Sequence, residues 1–278
     1  SKKQVMKKLT KVIMSGAAVA ALGASMAFGF AACGGNGGNG GTINISGSTS
    51  VQPLMQKLAD AYMAEHDGVT INVGAGGSGV GISNAKDGTV DLGMASKEIV
   101  GEDAEGITTI QIATDGIALI VSKDCTVTNV TKQEVYDLYV NSTAIQSVIT
   151  AAVSRDGASG TREAFQDIMD IETIAKMPEL SSQDTVIENV AASNNTMGYV
   201  SLEALSGNSS IKAVNFEGIA PTAENVSSGE YTLARPFNIM YNTANGMSEL
   251  TSDFVDFIFS DAAAAIIEDN GQVVVERK

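Results

Sequence analysis

Apolar and polar positions along this chain fall into a repeating order: a short strand-like run, a turn rich in glycine and hydroxyl residues, then apolar residues at helical spacing. Thr42 to Ser46 alternates as a strand, Gly47-Ser48-Thr49-Ser50 forms the turn, and Val51, Leu54, Met55, Leu58, Ala61 and Tyr62 mark one helix face. Pro53 sits in the first turn of that helix, where a missing N–H is tolerated. The order repeats with strand Val69 to Val73, turn Gly74 to Gly79, and a helix opening at Val80 and ending near Gly88. Thr89 to Lys97 predicts a third short strand with a polar end. Gly116 to Val121 is apolar on both faces, as expected for the centre of a parallel sheet.

A third unit of the same kind follows. Thr131 to Tyr139 reads as a helix, and Val148 to Val153 as a strand feeding the turn Ser154 to Gly160 and the apolar-periodic run Glu163 to Met169. Between Ile171 and Ser193 the pattern predicts helix and loop with Pro178 as a breaker; Asn194 to Ser201 is a turn into a strand. Gly218 to Gly229 reads as loop and short helix, and Leu233 to Tyr241 as an extended crossing segment. Glu249 to Asp269 predicts one long helix with Phe254, Phe257, Ile258, Ala262, Ala265 and Ile266 on its core stripe. Strands alternating with helices make this an α/β chain.

The first thirty-odd residues are different material. Lys2, Lys3, Lys7, Lys8 and Lys11 precede a small, apolar stretch from Val12 to Ala32 that ends Phe30-Ala31-Ala32-Cys33, the layout of a cleaved secretory signal. The small-small-Cys ending resembles a lipobox, with Cys33 as the lipidated, palmitate-bearing N-terminus of the mature protein. The following Gly34 to Gly41, rich in glycine and asparagine, then reads as a flexible tether. Expected boundaries are therefore a signal peptide at 1–32 and a lipidated cysteine with tether at 33–41. The expected location is the outer face of the cytoplasmic membrane. Cys125 is left as a lone buried thiol.

Charge narrows the partners. The net charge is −15, and −20 once the five lysines of the leader are gone, which argues against nucleic acid. The single histidine, His66, and the absence of a Cys/His cluster argue against catalytic histidine pairs and soft-metal sites, so no cofactor or metal is expected. Gly74 to Gly79 satisfies G-x-G-x-x-G, with Asp91 downstream where a ribose-binding acid would lie, so a dinucleotide-binding enzyme is the less favoured alternative. Ser159 lacks the G-x-S-x-G setting of a hydrolase and no histidine follows it, so no enzyme is expected.

The three turns carry the candidate chemistry together. Each lies at the carboxyl end of a strand and the amino end of a helix, where open α/β sheets bind ligands and unpaired N–H groups favour anions. Thr49, Ser78, Ser159 and Thr161 add hydroxyl donors, and Arg155 adds a guanidinium fork suited to a tetrahedral oxyanion.

Gly47-Ser48-Thr49, Gly76-Gly77-Ser78-Gly79, Asp91-Leu92-Gly93, Asp115-Gly116-Ile117-Ala118 and Arg155-Asp156-Gly157-Ala158-Ser159-Gly160-Thr161, in that order, resemble the phosphate-binding proteins of bacterial ABC phosphate importers. Gly198-Tyr199-Val200 and Arg235-Pro236-Phe237 fit the later part of that pattern. The resemblance implies a two-lobed, periplasmic-binding-protein-like fold of type II with two hinge crossings. Lobe I would be 42–118 plus 239–278 and lobe II 119–238. It implies a monomer that binds inorganic phosphate outside the cell and delivers it to permease subunits; sulfate or molybdate is the alternative oxyanion. Carried across residue by residue, the ligand set is Thr49 with Ser50, Ser78, Ser96, Arg155, Ser159, Gly160 and Thr161. Well-known members carry an Asp where Ser96 stands, accepting the phosphate proton, and Asp115 is the candidate replacement acceptor.

Overall fold

The computed structural model describes residues 40–277. The signal, Cys33 and all but the end of the tether lie outside the described residues. The first half-sheet is built as the alternation predicts: β1 (Gly41–Gly47) pairs in parallel with β2 (Val69–Ala75) and β3 (Leu92–Ala95). The helices α1 (Gln52–Glu65) and α2 (Ser78–Asp87) fill the two crossovers. Ile43 and Ile45 point into the core from β1, and α1 buries Leu54, Met55, Leu58, Ala59 and Tyr62 against them. Gly47, at the end of β1, faces the backbone of Met94 so closely that a Cβ would lie 2.2 Å from its carbonyl oxygen.

β4 (Ile107–Ser122) corrects the expectation of a parallel strand confined to Gly116–Val121: it spans 16 residues, and its partners run antiparallel to it. Burial on both faces suits either pairing, so apolarity alone carries no information about direction. Next come β5 (Asn129–Val130) and α3 (Lys132–Asn141), whose start is fixed by a reciprocal capping box between Thr131 and Glu134. Of the expected strand at 148–153 only β6 (Ala151–Ala152) forms; a second short strand, β7 (Ser154–Arg155), falls at the start of the expected turn, and α4 (Gly160–Met169) follows. β8 (Glu179–Leu180) and α5 (Gln183–Ala191) occupy the region that Pro178 was expected to break. The chain continues through β9 (Thr196–Ser201), β10 (Ile211–Ala213), β11 (Asn215–Phe216), α6 (Ala223–Ser228) and β12 (Ala234–Asn242).

The expected long C-terminal helix is two, α7 (Glu249–Ile258) and α8 (Asp261–Asp269), before a last strand β13 (Val273–Val274). Ser260 accepts from the backbone N–H of Ala263 and starts α8 afresh, which resets the helical phase. Phe254 and Ile258 are buried as the stripe predicts, but beyond the break Ala263 and Ile267 are buried while Ala262 and Ala265 face solvent.

Strand order in the main sheet is β2-β1-β3-β12-β4-β9-β6, with β10 and β13 also on β4; β5 pairs with β11 and β7 with β8. Two large cores result. One gathers Ile43, Leu58, Met94, Ile112, Phe237, Phe254 and Ile267; the other Ile117 to Val121, Tyr139, Phe165, Val186, Tyr199 and Leu233. β4 contributes to both, and the segment ending in β12 does likewise, so these two strands tie the cores together. Cys125 lies buried in the second core. Among the described residues no helix is long and apolar enough to cross a membrane.

Candidate functional site

Four segments meet where the two cores face each other: the turn after β1, the start of α2, the end of β3, and the β7–α4 turn. Ser48, Ser50, Ser78, Ser96, Ser159, Thr161 and Arg155 are all buried there, each 4% exposed or less. Such a concentration of hydroxyls is stable only if their hydrogen bonds are made. Ser48 Oγ accepts from the backbone N–H groups of Ser50 and Val51 at 3.2 and 3.3 Å, bracing the turn that leads into α1. It donates in turn to Ser96 Oγ at 2.9 Å. The Ser96 backbone N–H donates to Ser78 Oγ at 3.0 Å. Across the junction Ser50 Oγ and Thr161 Oγ1 are 3.0 Å apart, and the N–H of Gly79 donates to the carbonyl of Ala158 at 3.1 Å.

Two glycines allow this approach. Gly77 has φ +94° and a Cβ there would meet the Ala158 carbonyl at 2.6 Å. A Cβ on Gly160, the first residue of α4, would lie 2.2 Å from Ser78 Oγ and 3.2 Å from Ser96 Oγ. Ser159 caps α4 by accepting from the Arg162 N–H at 3.3 Å, which turns the first amides of that helix toward the hydroxyl cluster.

Arg155 is aimed by its neighbours. Its Nε donates to the Leu180 carbonyl at 3.0 Å; its Nη2 donates to the Ser181 carbonyl at 3.0 Å and to Thr49 Oγ1 at 3.1 Å. The Tyr199 hydroxyl accepts from the Arg155 backbone N–H and bonds Ser154 Oγ, fixing β7 against β9. Burial pushes the Arg155 guanidinium below the usual arginine value, opposed by the nearby Asp156. An anion would relieve that cost by supplying a partner charge.

Asp115 has a different set of partners from the one expected. It is fully buried, pairs with Arg235 at 3.1 and 3.2 Å, and accepts from Ser201 Oγ at 2.8 Å and Gln272 Nε2 at 3.1 Å. Burial pushes the carboxyl up, but every neighbour donates to it, the setting of a paired carboxylate. Arg235 reaches the site through Nη1, 3.4 Å from the Ser96 carbonyl. Ser96 is followed by Lys97, whose Nζ lies 2.6 Å from both Asp103 and Glu163. Lys97 is raised above the usual lysine value: burial lowers it, and the two carboxylates more than reverse that.

The sequence reading missed Ser48, Lys97, Arg235 and Glu163 as parts of this assembly. Ser48 was legible as one more hydroxyl in the first turn; Arg235 and Glu163 sit far from their partners in sequence and gave no signal of the pairing. Asp91, the candidate ribose acid, accepts from the Asn44 backbone N–H at 2.7 Å. With Gly79 N–H already bonded to Ala158, the glycine turn packs against its own chain rather than lying open. A cleft of about 640 Å³ shares Thr49 with the cluster and runs along the starts of α1 and α5. The described residues contain no group of three or more His, Cys, Asp or Glu side chains placed to hold a metal.

The model of the PBP superfamily domain matches residues 34–262. The chain belongs to the PBP superfamily. Within it the similarity is to phosphate-binding proteins. The chain is 29% identical over 247 residues to the phosphate-binding protein PstS of Bacillus subtilis, covering 84% of this chain and 81% of the relative. A Clostridium perfringens structure described as a phosphate ABC transporter substrate-binding protein with bound phosphate is 31% identical, with a TM-score of 0.80 over 85% of this chain and all of that one. The ABC-type phosphate transport receptor of Vibrio cholerae is 30% identical, with a TM-score of 0.69 over 84% of this chain and all of that one. As open α/β sheets bind ligands beyond the carboxyl ends of their strands, the hydroxyl cluster lies at the carboxyl ends of parallel strands, here β1, β2 and β3.

Proposed function

We propose that this protein binds inorganic phosphate outside the cell and hands it to the permease of an ABC transporter. The observation that carries this reading is the convergence of Arg155 with Thr49, Ser78, Ser96, Ser159 and Thr161 on one buried point at two helix starts. Backbone amides at those starts and the guanidinium match the charge of a tetrahedral oxyanion, and the hydroxyls match its four corners. Hydrogen bonds to a charged partner contribute about 1.5–3 kcal/mol each, so four or five reach the roughly 8 kcal/mol of micromolar binding. The phosphate-bound C. perfringens relative supports the choice of ligand.

In this reading the protein is a carrier, not an enzyme, and the ligand set is Thr49, Ser50, Ser78, Ser96, Arg155, Ser159, Gly160 and Thr161. Asp115 acts behind it, by fixing Arg235 against Ser96. The two cores are the two lobes, with β4 and the segment entering β12 as hinges, and the contacts between Ser50 and Thr161 belong to the closed form. The protein is a monomer, anchored through lipidated Cys33 and a glycine-rich tether to the membrane that holds the permease.

Thermal unfolding tests the ligand. Phosphate at about a hundred times its Kd adds about 2.7 kcal/mol to the folded state and raises Tm, whereas NAD leaves Tm unchanged. Stabilisation by NAD without phosphate would transfer the site to the dinucleotide reading.

A further inference from the structure

Four hydroxyls of the cluster share one feature: each already accepts a hydrogen bond from the protein. Thr49 Oγ1 accepts from Arg155 Nη2, Ser78 Oγ from the Ser96 N–H, Ser96 Oγ from the Ser48 hydroxyl, and Ser159 Oγ from the Arg162 N–H. A hydroxyl whose oxygen is so occupied can turn its proton to a ligand; the Ser78 and Ser96 hydroxyls, 3.4 Å apart, would turn theirs from one another. Arg155 and the amides at the start of α4 can only donate. The carboxylates nearby are engaged by the protein: Asp115 is surrounded by four donor contacts, both Glu163 oxygens bind Lys97, and one oxygen of Asp156 accepts from the Ala158 N–H.

We propose that this is a donor-only site whose ligand is the fully ionised tetrahedral oxyanion: it prefers dianionic to monoanionic phosphate and accepts sulfate in the same place. The inference rests on the reading of the site as an oxyanion site and adds its selection rule. A protonated ligand oxygen buried here has only the remaining lone pair of a hydroxyl to bond, a weaker acceptor than a carboxylate. Each added proton on the ligand therefore leaves a poorly satisfied buried donor, which a site built to recognise the proton would not. Sulfate carries no proton at neutral pH and suffers no such loss.

The charged groups facing the site are Arg155 with Asp156 from the β7–α4 turn, Arg162 and Glu163 from α4, Lys97 and Asp103 beyond β3, and the Asp115–Arg235 pair of β4 and β12. None is a histidine; His66, the sole histidine, stacks on Tyr62 at the end of α1. The pH dependence near neutrality thus follows the ligand's own ionisation.

The test is calorimetric titration of the intact protein with phosphate and with sulfate, below and above the second ionisation of phosphate. The expected result is phosphate affinity falling about tenfold per pH unit on the acid side, in proportion to the dianion fraction, with sulfate affinity flat across the same range. Sulfate should lie within about tenfold of dianionic phosphate. Ser96→Asp supplies an acceptor and should shift the ratio of phosphate to sulfate affinity toward phosphate by about a hundredfold or more and flatten the fall of phosphate affinity on the acid side. Tight phosphate binding that does not weaken on the acid side, with no sulfate binding, would overturn the donor-only inference and leave the phosphate reading standing. Sulfate binding without phosphate would keep the inference and overturn the phosphate reading, and binding of neither would overturn both.

Discussion

Arg155 and Gly160 bear the most specific demands of the site, and they are of opposite kinds. Arg155 supplies charge whose orientation is set by two carbonyls and Thr49, so in the proposed site its replacement would remove the main positive partner of a desolvated anion. Gly160 supplies an absence of atoms. A methyl at that position would collide with Ser78 Oγ, so Gly160→Ala is expected to cost about 1–3 kcal/mol of stability by overpacking. It should also weaken phosphate binding about tenfold or more by displacing the Ser78 and Ser96 hydroxyls; chemical denaturation and calorimetry on the same variant check the two effects. Gly157, on the same turn, has no atom within 4 Å of its Cβ position, so Gly157→Ala is the control that should change neither by a comparable amount.

At the scale of elements, the units that position the site were the ones the sequence announced. β1–α1 and β2–α2 follow from alternation and helical spacing, and the start of α4 from its Ser159 cap, all of which are local. What depended on partners far along the chain did not show. The direction of β4 is set by β12 and β9, the role of Asp115 by Arg235 120 residues away, and the phase of α8 by a cap at Ser260 that interrupts an unbroken apolar pattern. Lys97 belongs to this class: it joins the end of β3 to α4 through Glu163, with Asp103 on its other side. Lys97→Met should cost about 1–2 kcal/mol, the moderate figure reflecting the exposure of both carboxylates. Because the folded-state value of Lys97 is raised, this contribution is fully present below the ordinary lysine value of 10.5 and fades as pH rises through the raised one. The Tm difference between the parent and Lys97→Met should therefore be constant near neutrality and shrink only in strong alkali; a difference that vanished already at neutral pH would contradict the ion-pair role.

For the whole molecule, the proposed pair of lobes would move about the two strands that join the cores, and the contacts between the cores at the site are polar and few in kind: Ser50 with Thr161, Gly79 with Ala158, Arg155 with Thr49 and Lys97 with Glu163. A ligand that bonds to both sides stabilises the closed arrangement by its differential affinity. Small-angle scattering should show the radius of gyration falling when phosphate is added to the ligand-free protein, and an unchanged radius would contradict the two-lobe proposal. The surrounding acidity, −15 for the chain, makes capture a local matter, because the far field repels an anion and only the site's donors attract it.

That local capture is most directly measured by calorimetric titration of phosphate into the ligand-free protein and into Arg155→Ala. One site per chain with a Kd of about a micromolar or tighter, weakened about tenfold or more in the variant, is the predicted result. Phosphate binding unchanged by the loss of Arg155, or absent from the parent protein, would contradict it.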